Sequence, residues 1–598
     1  MSVPNLSHKI RLFAYAAKYY ICPILLLVYA FRHVTQGVDL WDTGYNYSNF
    51  TYMGTLHMDD MWLLTTYLAN AVGRLLTLLP GGATMVGMNV YTSMIVAGIA
   101  LGAYFFFLKT FSCPFVLIFI SEIIALSLCW APSALIYHYL TYFLFNLATI
   151  LLYFGLVKDK SILLVSAGVA LGLNVGVRFS NLPQIGLILA AWWYWFMQQS
   201  QENNHRTQAM KRVLFGTLRC AVGFVISYGL FVGYLSIRYG FMEYVRAIIR
   251  LFAMTEDAPD YTATAMLYGM VKYYRTNLYW TKWIIGVVVL GMVVLFIAEH
   301  FVPKRWIIIL KILSALACIF VWYQQFQNYF YTIDYASYDS ILRPCVHLMT
   351  IAILIAVVVC ILPSAPPQDK LISALVTLIL LLTSLGSNNA IYTSINNLFL
   401  VMPYILWMTV RWLSTTTTQT RAALFPVKFL VVLTISVVFI QSVGFGIRFV
   451  YAEAAGVRGE RAKVENNPVL DGMWANETRA KQLSEISAYV YGQGLEKIEC
   501  ILYGQIPSLS YYLQMPPAIN SWSDLLSYQV EVMEHDFHEL SQRIASGIDK
   551  PVIIVTQSIA NTLDTSQSDP KLQLIKTFMS QYSYEKTFEN EAFVIFES

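Results

Sequence analysis

The first 449 residues alternate between long apolar runs and short polar turns. A helix needs about 20 apolar residues to cross the hydrocarbon core of a bilayer, and on that criterion the chain has about thirteen spans. We place them at 13–31, 83–109, 114–131, 133–156, 161–177, 182–198, 213–235, 283–300, 306–324, 345–363, 371–387, 397–411 and 427–449. The pattern predicts a mostly α fold, a polytopic membrane helix bundle over residues 1–449.

Residues 450–598 change character, because charges become frequent and the apolar runs shorten. Some segments there have the composition of strands and others have helical periodicity. The predicted strands are 497–503, 551–556 and 592–596, and the predicted helices are 477–491 and 530–544. Strands that alternate with helices predict a small C-terminal α/β domain.

Basic residues indicate how the spans are oriented. Lys9, Arg11 and Lys18 precede the first span and predict a cytoplasmic N-terminus. If successive spans cross the membrane in opposite directions, every turn on the cytoplasmic side carries basic residues. These turns carry Lys109, Lys158, Lys160, Arg206, Lys211, Arg212, Lys304, Arg305, Lys370, Arg411, Arg421 and Lys428. An odd number of spans puts the C-terminal domain outside the cytoplasm, and we expect a multi-pass protein of a bacterial plasma membrane.

The composition narrows the class of function. Charged residues make up 12% of the 598 residues, against about 25% in soluble domains. The formal net charge of +4 is too small to indicate a nucleic-acid partner. The sequence has no P-loop lysine motif and no Gly-x-Ser-x-Gly elbow, so neither ATP-driven transport nor serine hydrolysis is indicated.

Three connections on the extracytoplasmic side are longer than a reversal of direction requires: 32–82, 236–282 and 325–344. Within the first, segment 61–80 is amphipathic and ends at Pro80-Gly-Gly, which predicts a helix lying along the membrane surface. An additional span is the alternative for this segment. It would invert the orientation of every later basic turn.

The first long connection holds four aspartates: Asp39, Asp42, Asp59 and Asp60. Carboxylates crowded at a bilayer surface are costly and usually mark a site. We predict that Asp42, Asp59 and Asp60 are catalytic, with Asp42 as general base, and that Asp39 and Tyr45 contact substrate. The alternative for Asp59 and Asp60 is capping of the helix that starts at Met61.

Cations that could hold an anionic lipid head group follow later in the chain. Arg178 lies at the end of a predicted span, where its planar fork suits a phosphate and snorkelling to the interface is the alternative. The connection 236–282 adds further arginines, predicted to bind the same head group. They include Arg246, Arg250 and Arg275.

Aromatic and amide side chains complete the predicted substrate-binding set. Tyr137 and His138 lie at the end of one span, and Asn388 and Asn389 at the end of another. Rings stack on sugars and amides bond hydroxyls, so a sugar-binding cleft is one interpretation. A belt of interfacial tyrosines is the alternative for Tyr137. No metal ligands are assigned; Glu534–Glu539 lacks the His-Glu-x-x-His arrangement of zinc hydrolases.

The layout resembles the GT-C superfamily of integral-membrane glycosyltransferases, and most nearly bacterial relatives of the protein mannosyltransferase and aminoarabinose transferase group. The resemblance rests on Asp42-Thr-Gly-Tyr in the first connection and on Tyr511-Tyr-Leu-Gln-Met-Pro-Pro517 in the C-terminal domain. The family often has a pair of carboxylates in its first loop. Here Thr43 follows Asp42, so the second carboxylate is unassigned and a divalent metal is left open as a cofactor.

The resemblance implies transfer of a sugar from a polyprenyl-phosphate donor to an extracytoplasmic glycan, lipid or protein acceptor, with inversion at the sugar. Two other classes of function stay open. A transporter or flippase of lipid-linked glycans would place charges at mid-membrane, where these spans have few. A non-catalytic membrane protein could use its C-terminal domain to bind a partner.

Overall fold

The computed structural model describes residues 6–199, 206–253, 263–328, 332–387, 389–416, 422–453, 459–524, 528–563 and 569–598. Within these ranges the protein is mostly helical, with two small sheets near the C-terminus. The α-helices of the N-terminal part are α1 (Leu6–Ala16), α2 (Cys22–Ala30), α3 (Asp42–Thr51), α4 (Asp60–Thr65), α5 (Tyr67–Thr77), α6 (Met85–Thr110), α7 (Phe115–Leu128), α8 (Ile136–Val157), α9 (Ser161–Val177) and α10 (Leu189–Gln199). They continue with α11 (Arg206–Tyr239), α12 (Phe241–Ala253), α13 (Ala263–Phe301), α14 (Lys304–Gln327), α15 (Leu342–Ile361), α16 (Pro367–Thr383), α17 (Ile391–Ile395), α18 (Val401–Thr416) and α19 (Phe425–Arg448).

The C-terminal part has five α-helices and six strands among the described residues. The helices are α20 (Glu477–Gln493), α21 (Ser508–Tyr512), α22 (Val530–Ala545), α23 (Gln557–Ala560) and α24 (Pro570–Tyr582). The strands are β1 (Arg461–Lys463), β2 (Trp474–Asn476), β3 (Cys500–Tyr503), β4 (Val552–Thr556), β5 (Glu585–Glu589) and β6 (Phe593–Glu597). The larger sheet has the order β3-β4-β6-β5, parallel between β3 and β4 and antiparallel elsewhere. Every strand and helix predicted in this part has a counterpart.

Eight helices of the described chain are long and apolar enough to cross a membrane: Lys9–Ala30, Met85–Thr110, Ile136–Val157, Met210–Tyr239, Thr281–Phe301, Lys304–Gln327, Tyr338–Ile361 and Ala422–Arg448. Each corresponds to one predicted span. The other five predicted spans fall on helices shorter than 18 residues, namely α7, α9, α10, α16 and α18. Hydropathy finds such segments because they are buried and apolar, but it does not report where each helix ends.

The connection 236–282 is mostly helical, which corrects the interpretation of it as a long loop. Helix α11 continues to Tyr239, α12 follows after Gly240, and α13 begins at Ala263. Gly240 has a φ of +97°, a conformation that suits glycine and lets the chain turn between α11 and α12. Segment 61–80 is helical as predicted, in two pieces, α4 and α5, which are separated at Thr66.

One hydrophobic cluster lies entirely within the C-terminal part and includes Ile553 and Phe578. A second cluster, including Leu470 and Tyr512, is shared with Tyr47 and Phe50 of α3 and with Met88 of α6. Burial of this shared apolar surface fastens the C-terminal part onto the segment that carries Asp42. The sheet therefore lies against the candidate site.

Candidate functional site

The segment before α3 folds around Asp39. This carboxylate is fully buried and accepts hydrogen bonds from the backbone N–H of Trp41 (2.9 Å) and from both the N–H (3.1 Å) and the hydroxyl (2.5 Å) of Thr43. Burial, with a further contribution from nearby Asp42, raises the pKa of Asp39 to about 7. Asp39 thus caps the first turn of α3, and its hydrogen bonds are all made inside the protein.

Asp42, in the first turn of α3, faces a cavity of about 230 Å³. We call it the Asp42 cavity. It is lined by Asp42, Trp130, Ala131, Pro132, Leu135, His138, Tyr142, Tyr338, Asn389, Tyr392, Thr393, Asn396 and Tyr451. Asp42 is the only charged side chain in this lining. Two predicted substrate contacts, His138 and Asn389, are therefore brought together with Asp42.

Tyr451 positions the Asp42 carboxylate. The Tyr451 phenol donates to Asp42 Oδ2 at 3.2 Å, and no hydrogen bond to Oδ1 is found among the described residues. Burial raises the pKa of Asp42 above its ordinary value, while the Tyr451 hydrogen bond acts in the opposite direction because it stabilises the ionised form. One carboxylate oxygen is thus held and the other is available to a ligand.

Aromatic rings form one wall of the Asp42 cavity. Tyr338 stacks on Trp130 with ring centroids 4.3 Å apart and planes 6° apart. Tyr392 meets the edge of Tyr338 at 5.3 Å, and its phenol donates to the carboxylate of Asp339. The segment 332–341, part of the third long connection, therefore supplies Tyr338 to the wall and the carboxylate of Asp339 behind it.

Two buried polar atoms of the lining, Trp130 Nε1 and Thr393 Oγ1, have no hydrogen-bond partner among the described residues. The imidazole of His138, a third polar group of the lining, makes no hydrogen bond within these residues. His138 and Thr393 are each 7% exposed. Buried polar groups in native proteins are nearly always paired, with protein, water or ligand. These groups are therefore available to a polar ligand or to water.

Arg178 lies just outside the Asp42 cavity. Its guanidinium sits over the ring of Tyr137, 5.1 Å from the centroid, and is close enough to His138 and Tyr142 for its charge to act on both. No carboxylate within the described residues forms an ion pair with Arg178. Arg178 therefore lies beside two lining residues of the Asp42 cavity, and its predicted contact with a phosphate stays a prediction.

The C-terminal part holds α3 through α21. The Ser508 hydroxyl donates to the Trp41 carbonyl (2.9 Å) and accepts from the Gly44 N–H (3.1 Å), while the Tyr512 phenol donates to the Asp39 carbonyl (2.6 Å). A Cβ added at Gly44 would lie 2.7 Å from the Ser508 carbonyl oxygen and closer still to its Cα. Glycine is therefore required for this close approach of the two helices.

Arg32 joins the ends of three helices by hydrogen bonds. Its guanidinium donates to the carbonyls of Tyr29 (3.3 Å), Leu126 (2.9 Å) and Gly446 (2.7 Å). These carbonyls belong to the last turns of α2, α7 and α19, where helix dipoles place partial negative charge. The convergence of three helix C-termini explains why a largely buried arginine needs no carboxylate here.

Asp59 and Asp60 lie in a second recess of about 380 Å³, which we call the Asp59 cleft. It is lined by Thr55, Leu56, His57, Met58, Asp59, Asp60, Arg250, Pro517, Ala518, Ile519, Asn520, His535, Asp536, Glu539, Leu540 and Arg543. Asp59 accepts from the backbone N–H of Met61 (2.8 Å), so it is the N-cap of α4, and it forms an ion pair with Arg250 at 3.1 Å. The capping alternative is therefore confirmed for Asp59.

The remaining predicted contacts lie elsewhere. Arg246 pairs with Glu243 of the same helix at 2.5 Å, and Arg275 is exposed on α13. Tyr45 is buried against Trp522, with centroids 5.1 Å apart, and lines neither recess. Asn388 lies outside the described residues. The arginines of 236–282 do not form one cluster: Arg246 and Arg250 lie one turn apart on α12 with different carboxylate partners, and Arg275 lies on α13.

Four aromatic or polar residues of the Asp42 cavity were not identified from the sequence, namely Trp130, Tyr392, Thr393 and Tyr451. Tyr338 and its neighbours had a weak signal, since tyrosines and aspartates interleave along 329–339. Tyr451 had none, because it is the second residue after a predicted span and 409 positions from Asp42.

The described residues contain no group of three or more His, Cys, Asp or Glu side chains that could hold a metal ion. Compared with known proteins, the chain matches no protein-family model and no curated protein.

Proposed function

We propose that the protein is a membrane glycosyltransferase of the GT-C type. It would move a sugar from a polyprenyl-phosphate donor to a hydroxyl of an extracytoplasmic glycan, lipid or protein. The observation that carries the proposal is the Asp42 cavity: one carboxylate with a free oxygen, in a recess with aromatic, amide and unpaired polar groups. Rings, amides and a single carboxylate are the groups that a hydroxyl-rich ligand and its deprotonation require.

In the proposed reaction Asp42 acts as general base through Oδ1. It takes the proton of the acceptor hydroxyl while that oxygen bonds to the anomeric carbon. The bond from the anomeric carbon to the phosphate oxygen breaks, and its electrons remain on the phosphate, so a single displacement inverts the sugar. Arg178 stabilises the negative charge of the departing phosphate, an effect that is strong where water is excluded.

The proposal includes an orientation and a bundle of about thirteen spans. The short helices α7, α9, α10, α16 and α18 would complete the bundle together with the eight long ones. With the N-terminus in the cytoplasm, the C-terminal part and the Asp42 cavity would lie on the opposite side, in a bacterial plasma membrane. A lipid-linked donor would then reach the cavity from the bilayer.

A strain that lacks the protein tests the proposal. We expect it to accumulate a polyprenyl-phosphate sugar and to lose one sugar from an envelope glycan, lipid or protein. The wild-type gene should restore the modification. A gene for the Asp42→Asn variant should not, although its product inserts at the wild-type level. An unchanged set of glycans and lipid-linked sugars in the deletion strain would overturn the proposal.

One observation favours transport of a lipid-linked glycan as a second candidate. Glu122 of α7 is fully buried, and neither of its carboxyl oxygens has a hydrogen-bond partner among the described residues. An ionisable side chain inside a helix bundle often marks a transport pathway. Transport would require Glu122, so a Glu122→Gln variant that restores the envelope glycans of the deletion strain would argue against it.

A further inference from the structure

We infer that His138, Thr393 and the indole N–H of Trp130 bind the hydroxyl groups of the transferred sugar and thereby select it. This inference rests on the proposed function and concerns the same cavity. It assigns the recognition of the sugar to a wall separate from the base, Asp42. The three groups come from different elements: His138 from α8, Thr393 from α17, and Trp130 from the turn between α7 and α8.

Leaving these buried polar groups unpaired is costly. Thr393 and His138 are each 7% exposed, so bulk water does not reach them freely. Their neighbour Asn396, by contrast, is fully used: its carbonyl oxygen accepts from the N–H groups of Trp130 (2.8 Å) and Ala131 (2.9 Å). The same wall therefore contains one polar side chain that supports the backbone and three groups with nothing to bind.

The donor and acceptor character of the three groups limits what they can bind. An indole N–H only donates, a threonine hydroxyl donates and accepts, and a neutral imidazole does one at each nitrogen. This mixture fits hydroxyl groups, which also donate and accept, better than it fits an anion. Arg178, whose charge acts on His138 and Tyr142, lies outside the lining. The wall therefore suits the hydroxyls of a sugar, with the phosphate closer to Arg178.

The volume of the cavity limits the size of the ligand. A cavity of about 230 Å³ is smaller than the roughly 300–1,000 Å³ of pockets that enclose drug-sized ligands. One sugar ring is accommodated and a preassembled oligosaccharide is not. With one ring in place, three fixed contacts are enough to distinguish sugars that differ at a single hydroxyl. A site built to bond a hydroxyl discriminates strongly against the analogue that lacks it, because its own polar groups then stay unpaired.

The test measures binding rather than transfer. Purified protein in nanodiscs is titrated with undecaprenyl-phosphate-linked glucose, galactose and mannose and with their single-deoxy analogues, and binding is followed by thermal shift. We expect the wild-type protein to prefer one hexose and to bind at least one of its deoxy analogues about tenfold or more weakly, as the loss of one buried hydrogen bond implies. Thr393→Val and His138→Phe should each lower the affinity for the preferred hexose donor. Each should also remove the tenfold preference for that hexose over one of its deoxy analogues.

Matched variants separate recognition from folding. Thr409 of α18 is also buried, at 3% exposure, and its hydroxyl is also unpartnered, but it does not line the cavity. Thr409→Val should therefore leave every affinity unchanged. Thr393→Ser and His138→Gln keep a hydrogen-bonding group and should retain most of the discrimination, which covers the case in which an apolar variant fails to fold.

The outcomes distinguish this inference from the proposed function. If the wild-type protein binds a hexose donor but both cavity variants bind it and its deoxy analogues as the wild type does, ordered water satisfies the three groups. The inference is then overturned while the proposed function stands. A linked trisaccharide that binds as tightly as the hexose would also overturn it. A wild-type protein that binds none of these donors would overturn both.

Discussion

The two acidic pairs of segment 32–82 look alike in sequence and occupy opposite environments in the structure. Asp59 and Asp60 line the Asp59 cleft together with Arg250, Arg543 and two histidines. The Asp42 cavity contains Asp42 as its only charged lining residue. The Asp59 cleft is rich in charges that neutralise one another, whereas the Asp42 cavity contains a single carboxylate among aromatic rings.

The difference lies in how far the two carboxylates are already satisfied. Asp59 accepts from the N–H groups of Met61 (2.8 Å) and Trp62 (3.3 Å), from Arg250 (3.1 Å) and from Asn520 (3.3 Å). In the Asp42 cavity one carboxylate oxygen and three neighbouring polar groups have no partner among the described residues. Asp59 therefore has its partners within the protein, whereas the free oxygen of Asp42 is open to a ligand. This contrast supports Asp42 rather than Asp59 as the base of the proposed reaction.

The largest expected effect is on the rate of transfer. A general base contributes roughly 10²- to 10⁴-fold to a rate. Asp42→Asn should therefore lower the initial rate in nanodiscs supplied with donor and acceptor at least about hundredfold. Asp60→Asn, the same change in the Asp59 cleft, should alter it less than about threefold, because Asp60 lies outside the Asp42 cavity. Equal losses for the two variants would remove the distinction between the recesses.

The second prediction concerns the close approach of α3 and α21. Gly44→Ala introduces a Cβ where the Ser508 backbone already lies, and overpacking of this kind costs about 1–3 kcal/mol. We expect a lower midpoint of thermal unfolding in detergent and a reduced rate, since α3 carries Asp42. Gly102→Ala is the control, because it makes the same change in helix α6 with no atom within 4 Å of the new Cβ. A control variant as unstable as Gly44→Ala would contradict the steric explanation.

The third prediction sharpens the role of Tyr451 through pH. Asp42 must be ionised to act as a base, so the rate should rise with pH through its pKa, which burial places above the ordinary value. The Tyr451 hydrogen bond stabilises the ionised form. Tyr451→Phe should therefore raise that pKa and move the acid limb of the pH–rate profile upward by about one pH unit. A variant whose rate falls equally at every pH would indicate that Tyr451 has only a structural role.

Much of the fold could be predicted from the sequence because its signals are local. Apolar runs located the helices, and the composition of 497–503, 551–556 and 592–596 located three strands of the larger sheet. The lengths of the helices were harder to predict. Helix α7, with 14 residues, is as apolar as a membrane span but ends before Cys129. The pattern also gave no indication that α13 extends back to Ala263, since its first turns are rich in polar and aromatic residues.

The candidate site was predicted only in part, for a physical reason. Asp42 was identifiable because a carboxylate next to a membrane segment is costly. Its partner Tyr451 and the docking residue Ser508 are joined to α3 only by contacts between distant parts of the chain. No periodicity or spacing encodes such contacts. Whether a carboxylate is satisfied by its neighbours, which separates Asp59 from Asp42, is likewise decided by tertiary structure.

The smallest expected effect tests the satisfied side of the comparison. Arg250 is about half exposed (49% of its side chain) in its ion pair with Asp59, and exposed pairs contribute about 0–1 kcal/mol. In a double-mutant cycle with Asp59→Ala and Arg250→Ala, we expect a coupling energy below about 1 kcal/mol. Asp59→Ala alone should cost more than Arg250→Ala, because it also removes the N-cap of α4, which is worth about 1 kcal/mol. Thermal unfolding of the four proteins measures both quantities. A transfer rate that falls about tenfold or more in Arg250→Ala, with stability unchanged, would mean that the Asp59 cleft takes part in the reaction.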